Sequence, residues 1–275
     1  MTSLSFALVI SGAPGSQAPQ SAWHFAQAAV AAGHRIQRLF LYAEGVHLAN
    51  RMITVPNDEP DWGQRWAQWV QDQQIPATTC IASALRRGVL DPAEARRAGL
   101  PEGSATLRNT FPLGGLGDFI EATVTADRVL LFNDGEAAHG ALNLTPLPPS
   151  ATGHTQTPAH ELLFVADMPP YANPLSRELL DMALAAAAFD RNAGLLLRGA
   201  ALLWVQAGQD GTPLEQRTLA RNLGALPLYG IEHIYLDRTA LQHLHITPDT
   251  GLPVQILDDA EQVALLRQAR QVVML

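Results

Sequence analysis

Two parts of the chain repeat the same order of apolar strands and helices, and this repetition limits the possible folds. In each half, an apolar segment leads through a loop containing Gly or Pro to a helical segment. The opening strands are residues 6–11 and 162–166, and the closing strands are residues 129–132 and 272–275. Continuous apolar strands that alternate with helices indicate parallel sheets covered on both faces. We therefore predict an α/β protein of two small three-layer domains, each a mostly parallel sheet flanked by helices.

The remaining predicted strands and helices also correspond between the halves. The second strands are predicted at residues 36–42 and 201–206, and the third strands in the stretch ending at Cys80 and at residues 233–236. Ser and Thr side chains often cap the first turn of a helix. On this basis Ser21 is predicted to cap the first helix of the first half, and Ser176 the first helix of the second half.

A Pro-, Gly- and Thr-rich segment separates the two halves. Such composition without apolar periodicity is typical of a linker. We predict a first domain at residues 1–133, a linker at 134–159 and a second domain at 160–275. A chain of 275 residues can bury two separate cores of this size.

Cys80 is the only cysteine in the chain and lies at a predicted strand-to-helix junction. Free backbone N–H groups at the start of a helix favour a thiolate, and Arg86 and Arg87 would add positive charge nearby. Cys80 is therefore the candidate catalytic nucleophile, and the alternative is a buried apolar cysteine. His24, on the first helix, is either a proton shuttle or partner contact, or a structural or exposed residue.

Composition excludes several function classes. The net charge of −8 argues against direct nucleic-acid binding. All 18 positive residues are Arg, which excludes Schiff-base chemistry and the P-loop lysine. No apolar run is long enough for a membrane span, and the N-terminus lacks the basic start of a signal peptide, so we expect a cytoplasmic location. No motif indicates a cofactor or a metal site.

Several separated blocks resemble the DsrE-like sulfur-relay family, and specifically a fusion of the D and C subunits of the Tus complex. The blocks similar to the D subunit are residues 21–28, 40–46, 80–89 and 113–117, with 127–129 after them. The second half is similar to the C subunit in its opening strand and helix, in residues 223–231 and in its closing strand. C subunits can carry a cysteine near the third strand, whereas the second half of this chain has none.

The resemblance implies that Cys80 accepts sulfur as a persulfide. In that family, sulfur passes from a TusA-like donor to the D subunit and then to a TusE-like acceptor, for 2-thiouridine synthesis at the tRNA wobble position. The resemblance also implies a TusB-like subunit and assembly as a dimer or hetero-oligomer.

Two alternatives remain open at this point. One is a DsrE/DsrF-type role in oxidative sulfur metabolism, and the other is a noncatalytic α/β scaffold with a buried cysteine. A relay requires a sulfur atom that a carrier can reach, so we expect the Cys80 thiol to be accessible. Burial of the sulfur with no route to it in any form of the protein would rule out the relay.

Overall fold

The computed structural model describes residues 3–134, 159–216, 218–249 and 251–274. Most of the predicted linker at 134–159 lies outside these residues. The described residues divide into two compact units. The first contains residues 3–134 and Glu178–Phe189, and the second contains 159–177 and the described part of 190–274.

Residues 3–134 of the first unit form five strands and five α-helices. The strands are β1 (Ser5–Ile10), β2 (Arg35–Leu41), β3 (Ala77–Cys80), β4 (Leu113–Gly114) and β5 (Arg128–Phe132). The helices are α1 (Gln17–Ala31), α2 (Trp62–Asp72), α3 (Ile81–Arg86), α4 (Pro92–Arg97) and α5 (Leu116–Thr125). A 3-10 helix, Ala43–Ala49, follows β2.

The first sheet has the order β4-β3-β2-β1-β5, and all of its pairings are parallel. Alternate residues of β1 point to opposite faces of the sheet. Leu8 belongs to the core that includes Ala22 of α1 and Trp66 of α2. Ala7, on the other face, packs with Ala122 of α5. The unit therefore has the predicted three layers.

The first helix begins earlier than predicted. Its N-cap is Ser16, whose Oγ accepts a hydrogen bond from the backbone N–H of Ala18, and not Ser21. The apolar pattern on which the prediction of Ser21 rested covers only the later turns. Pro19 in the first turn is compatible with an earlier start because its missing N–H would have no partner there.

The tryptophans of α2 recur at helical spacing and either lie in the core of the first unit or pack against it. Trp66 is fully buried, and its ring lies edge-on to Trp23 of α1. Trp62 and Trp69 also contact the Trp23 ring. This aromatic cluster joins α1 and α2 on one face of the sheet.

The second sheet repeats the strand order of the first. Its strands are β6 (Leu162–Ala166), β7 (Ala193–Leu197), β8 (Ile234–Asp237), β9 (Val254–Leu257) and β10 (Gln271–Met274), in the order β10-β6-β7-β8-β9. The α-helices of this half are α6 (Leu175–Ala188), α7 (Leu219–Ala225), α8 (Arg238–His243) and α9 (Asp259–Gln268). All pairings are parallel. The predicted fold class is confirmed.

The prediction of a second strand at residues 201–206 is wrong. The strand is β7, Ala193–Leu197, and Gly199–Val205 is a 3-10 helix. Periodicity cannot separate a buried strand from a short buried helix when every position is apolar. Gly199 ends the extended backbone because its φ is +48°, a conformation that glycine adopts readily.

In the part of the chain that the structure describes, no helix combines the length and the apolar character needed to cross a membrane.

Candidate functional site

Cys80 lies at the carboxyl end of β3, as predicted. It is the last residue of the strand and the N-cap residue of α3, and it lies opposite Gly114 of β4. Ligand and reaction sites of parallel sheets form at this end of the strands. The sequence therefore placed the thiol correctly within the first unit.

The start of α3 does direct donors at the sulfur. The backbone N–H of Ser83 and Ala82 and the Ser83 hydroxyl interact with Cys80, and each lowers the pKa of the thiol. Burial has the larger effect, however, and raises the pKa of Cys80 above its ordinary value of 9.0. The negative charge of Glu178 also raises this pKa. The prediction of a favoured thiolate is wrong for this conformation because loss of solvent outweighs the helix N–H groups.

The expectation of an accessible sulfur is also wrong for this conformation. Cys80 is 1% exposed. Its neighbours Thr79 and Ser83 are fully buried as well. A carrier cannot reach the thiol while the surrounding residues keep these positions.

Arg86 and Arg87 lie near the site, but both are paired with carboxylates. Arg86 contacts Glu178 at 3.2 Å and Asp181 at 3.3 Å. Arg87 contacts Glu44 at 2.7 Å and Glu178 at 2.7 Å. Two guanidinium groups thus face three carboxylates. The positive charge predicted near Cys80 is present, but these acidic partners offset it.

The pairing affects the pKa of both arginines. For Arg86, burial lowers the pKa, but the hydrogen bond to Asp181 and the charge of Glu178 outweigh burial and raise it. For Arg87, the hydrogen bonds to Glu178 and Glu44 likewise outweigh burial and raise the pKa. Both guanidinium groups are therefore held in the charged form.

Glu178 is the centre of this cluster and was not identified from the sequence. Its side chain is fully buried. Oε1 accepts hydrogen bonds from Ser83 Oγ at 2.9 Å and from Arg87 Nη1 at 2.7 Å, and Oε2 accepts one from Arg87 Nη2 at 3.3 Å. Glu178 is 95 residues from Ser83 in the chain, so no local pattern links them.

Tyr42 contributes a second contact to the same segment. Its hydroxyl donates a hydrogen bond to the backbone carbonyl of Glu178 at 2.6 Å. Burial raises the pKa of Tyr42 well above 10.0, and the nearby Cys80 and Glu178 raise it further. Tyr42 is therefore a neutral hydrogen-bond donor here.

His24 is exposed on α1, which agrees with an exposed residue and equally with a partner contact. The first unit also has a cavity of about 360 Å³ beside the loop at residues 14–17. Its lining includes Trp62 and Arg108 but not Cys80. Among the described residues, no group of three or more His, Cys, Asp or Glu side chains is arranged to hold a metal ion.

The second unit has Asp237 at the position that corresponds to Cys80. Asp237 ends β8 and is the N-cap of α8. Its carboxylate accepts hydrogen bonds from the N–H groups of Thr239 at 2.9 Å and Ala240 at 3.2 Å. This junction is a capped helix start without a thiol.

Two histidines of the second half, His160 and His233, lie beside Tyr235. His233 stacks on Tyr235, and His160 bonds to Tyr235 Oη at 2.8 Å and to Asn192 Oδ1 at 2.9 Å. Burial lowers the pKa of His160, and the Asn192 hydrogen bond offsets part of this effect. This cluster precedes β6, β7 and β8 and so lies at their amino ends.

Fold and site together define a protein of two similar parallel α/β units, with a single thiol at the carboxyl end of a strand in the first. The model of the DsrE/DsrF-like family matches residues 5–132 and again residues 160–275. The chain belongs to the DsrE/DsrF-like family, in two copies.

Two solved structures show a limited likeness. The ychN protein from E. coli is 21% identical, with a TM-score of 0.38, over 42% of this chain and 99% of that chain. The glycosyltransferase SnogD from Streptomyces nogalater is 15% identical, with a TM-score of 0.16, over 99% of this chain and 88% of that chain. Both TM-scores are too low to support an argument about function.

Proposed function

We propose that this chain relays sulfur as a persulfide on Cys80. The observation that carries the proposal is the position of the chain's single thiol, at the carboxyl end of β3, with the N–H groups of Ala82 and Ser83 interacting with the sulfur. Membership in the DsrE/DsrF-like family supports it, since that family is associated with sulfur transfer. That this chain itself transfers sulfur is the proposal.

The transfer consists of two thiolate displacements. The Cys80 thiol first loses its proton to solvent, and the thiolate attacks the outer sulfur of a donor persulfide. The S–S bond of the donor breaks, and the donor leaves as a thiolate. An acceptor thiolate then attacks the outer sulfur on Cys80, which restores the Cys80 thiolate. Each step exchanges one S–S bond for another, and no external oxidant or reductant is required.

The single cysteine suits this chemistry. A second thiol in the chain could attack the Cys80 persulfide, form an intramolecular disulfide and release the sulfur. The chain contains no other cysteine. A persulfide on Cys80 therefore persists until another protein accepts its outer sulfur.

The relay also requires a conformation in which the sulfur is accessible. In the conformation described, Cys80 is 1% exposed and its pKa is raised. Burial and the raised pKa both slow the attack of the Cys80 sulfur on a donor persulfide. We therefore propose that the relay runs through an open form, in which the residues around Cys80 separate.

We further propose the pathway that the family resemblance implied. A TusA-like protein is the donor, a TusE-like protein is the acceptor, and the sulfur serves 2-thiouridine synthesis on tRNA in the cytoplasm. A TusB-like subunit completes a hetero-oligomer. The net charge of −8 suits contact with carrier proteins rather than with the RNA itself.

Sulfur uptake tests the proposal directly. The full chain is incubated with a cysteine desulfurase, L-cysteine and a TusA-like carrier, and the intact mass is measured. We expect one added sulfur atom on the wild type and none on Cys80→Ser. The proposal is wrong if the wild type gains no sulfur or if Cys80→Ser gains the same amount.

The burial of Cys80 specifically favours one alternative, a noncatalytic scaffold. For a scaffold, a neutral alkylating reagent would label Cys80 only after global unfolding. The DsrE/DsrF-type role in oxidative sulfur metabolism shares the loading step and differs in the acceptor. Transfer from loaded Cys80 to a TusE-like protein, measured by mass, separates that role from tRNA thiolation.

A further inference from the structure

Glu178 is a charged residue with no exposure to solvent, and its surroundings explain how it is tolerated. Removal of a carboxylate from water is costly unless hydrogen bonds and opposite charges replace the solvent. Ser83, Arg86 and Arg87 supply these groups to the Glu178 carboxylate. The three donors lie on or directly after α3, within seven residues of Cys80.

The segment Glu178–Phe189 is thereby fastened beside the thiol. It belongs to the first compact unit although it is distant in sequence from Cys80. Its carboxylate is held by α3, and its backbone carbonyl at Glu178 accepts the hydrogen bond from Tyr42. The charge of Glu178 also acts on Cys80, so the two groups are close.

We propose that Glu178 is an intramolecular latch that closes access to Cys80. In the closed state, the ion pairs with Arg86 and Arg87 and the Ser83 hydrogen bond keep the segment Glu178–Phe189 over the site. Release of the carboxylate lets this segment separate and exposes the thiol. The biological purpose of the latch rests on the proposed sulfur relay, but its existence does not.

The latch explains two features of the site together. A cysteine with helix-start donors is buried, and two arginines near it share a carboxylate from a distant part of the chain. Release of Glu178 removes one negative charge near the sulfur and frees Ser83 and Arg86, while Arg87 keeps only its pair with Glu44. These donors then suit an anionic sulfur on Cys80. Closed and sulfur-accepting states are thus mutually exclusive.

Alkylation of the folded chain with iodoacetamide, a neutral reagent, tests the latch. Loss of a buried charge-assisted hydrogen-bonding group is expected to raise the labelling rate of Cys80 by about ten- to a hundredfold in Glu178→Ala. Glu178→Gln, which keeps part of the hydrogen bonding, is expected to fall between Glu178→Ala and the wild type.

Glu44→Gln is the matched control. Glu44 is also a carboxylate partner of Arg87, but it lies outside the segment Glu178–Phe189. It is half-exposed, and we expect its loss to leave the labelling rate within about threefold of the wild type. An equal rise in Glu44→Gln and Glu178→Ala would overturn the latch, because arginine pairing in general would then control the thiol.

Hydrogen exchange separates opening from a change in thiol acidity. The amides of residues 178–189 are expected to exchange faster in Glu178→Ala, while those of β1 and β2 keep the protection of the wild type. Unchanged exchange in 178–189, or an unchanged labelling rate in a folded Glu178→Ala protein, would contradict the proposal.

The wild type gives a test that does not depend on the variants folding. Labelling of Cys80 is measured at increasing urea concentrations. Opening of residues 178–189 exposes less surface than unfolding of the chain, so its rate depends less steeply on urea, whereas labelling through global unfolding follows the full denaturant slope. A weak dependence supports the latch, and the full slope overturns it.

These readouts distinguish the latch from the relay. If Glu178→Ala exposes Cys80 but no form of the chain takes up sulfur, the relay is wrong and the latch stands. If the wild type takes up sulfur while Glu178→Ala labels at the wild-type rate, the latch is wrong and the relay stands.

Discussion

The strand-to-helix junctions at Cys80 and Asp237 occupy equivalent places in the two units. Each residue ends the third strand in chain order and is the N-cap of the next helix. Asp237 is partly exposed and caps two backbone N–H groups, whereas Cys80 is buried and interacts with the N–H groups of Ala82 and Ser83. The same backbone geometry therefore supports a helix cap in one unit and a sheltered thiol in the other.

The two junctions share their helix N–H groups and differ in how the surrounding residues shield them from solvent. Both junctions supply helix N–H groups that favour an anion. Only Asp237 keeps enough solvent for a carboxylate cap. At Cys80, burial and Glu178 act against a second negative charge. The reactivity of the thiol therefore depends on the elements packed around it more than on the helix start itself.

Replacement of Cys80 by aspartate, the residue of the second junction, is expected to give the largest loss of stability. Cys80→Asp places a carboxyl group in a buried site beside Glu178, and we expect it to lower the free energy of unfolding by about 3–5 kcal/mol. The measurement is urea unfolding followed by tryptophan fluorescence, which reports mainly on the first unit because Trp23, Trp62, Trp66 and Trp69 lie there. Cys80→Ser is the size-matched control. A loss below about 1 kcal/mol for Cys80→Asp would show that the site is wetter than its burial indicates.

Substitution of Gly45, in the 3-10 helix after β2, is expected to give the next largest loss of stability. After β2 and β7, the first turns of the 3-10 helices correspond, with Gly45 in one and Ala201 in the other. A Cβ at Gly45 would lie 2.0 Å from the backbone oxygen of Ile10. We expect Gly45→Ala to cost about 3 kcal/mol in unfolding free energy because backbone would have to move.

Ala201→Gly is the reverse change in the second unit and is expected to cost about 1 kcal/mol from backbone entropy. Gly45→Ala is measured by the tryptophan fluorescence experiment, and Ala201→Gly by hydrogen exchange of the β7 amides in urea. Equal effects of the two variants would contradict the close approach as the reason for the difference.

The smallest expected change in stability is that of Asp237→Cys in the Cys80→Ser background. Loss of the carboxylate cap is expected to cost about 1 kcal/mol. The new thiol would be partly exposed, so its iodoacetamide rate should level off at a lower pH than the rate of the native Cys80 thiol.

The labelling rate of the native Cys80 thiol should depend on pH in a different way. Burial raises its pKa above 9.0, so at neutral pH the protonated form dominates and the thiolate fraction rises about tenfold per pH unit. The labelling rate should still be rising at pH 9.0. If the labelling rate of Cys80 levelled off at a lower pH than that of the Asp237→Cys thiol, the helix N–H groups would outweigh burial.

Parts of the fold were predictable because they depend on local patterns. The apolar runs of β1 and β6 gave the correct element type. The prediction failed where an entirely apolar run carried no period, as at residues 201–206, and where a strand was short or exposed, as in β4 and β9. In those places, pairing with a neighbouring strand decides the structure.

The amino-acid sequence by itself determined the two parallel α/β units and the position of Cys80 at the end of a strand, because strand and helix periods and cap positions are local properties. Only the tertiary structure decided the environment of that thiol. Glu178 meets Ser83, Arg86 and Arg87 across more than 90 residues of chain. The ion pairs follow from that long-range contact, and the burial that raises the pKa of Cys80 follows from tertiary packing; no local pattern encodes either.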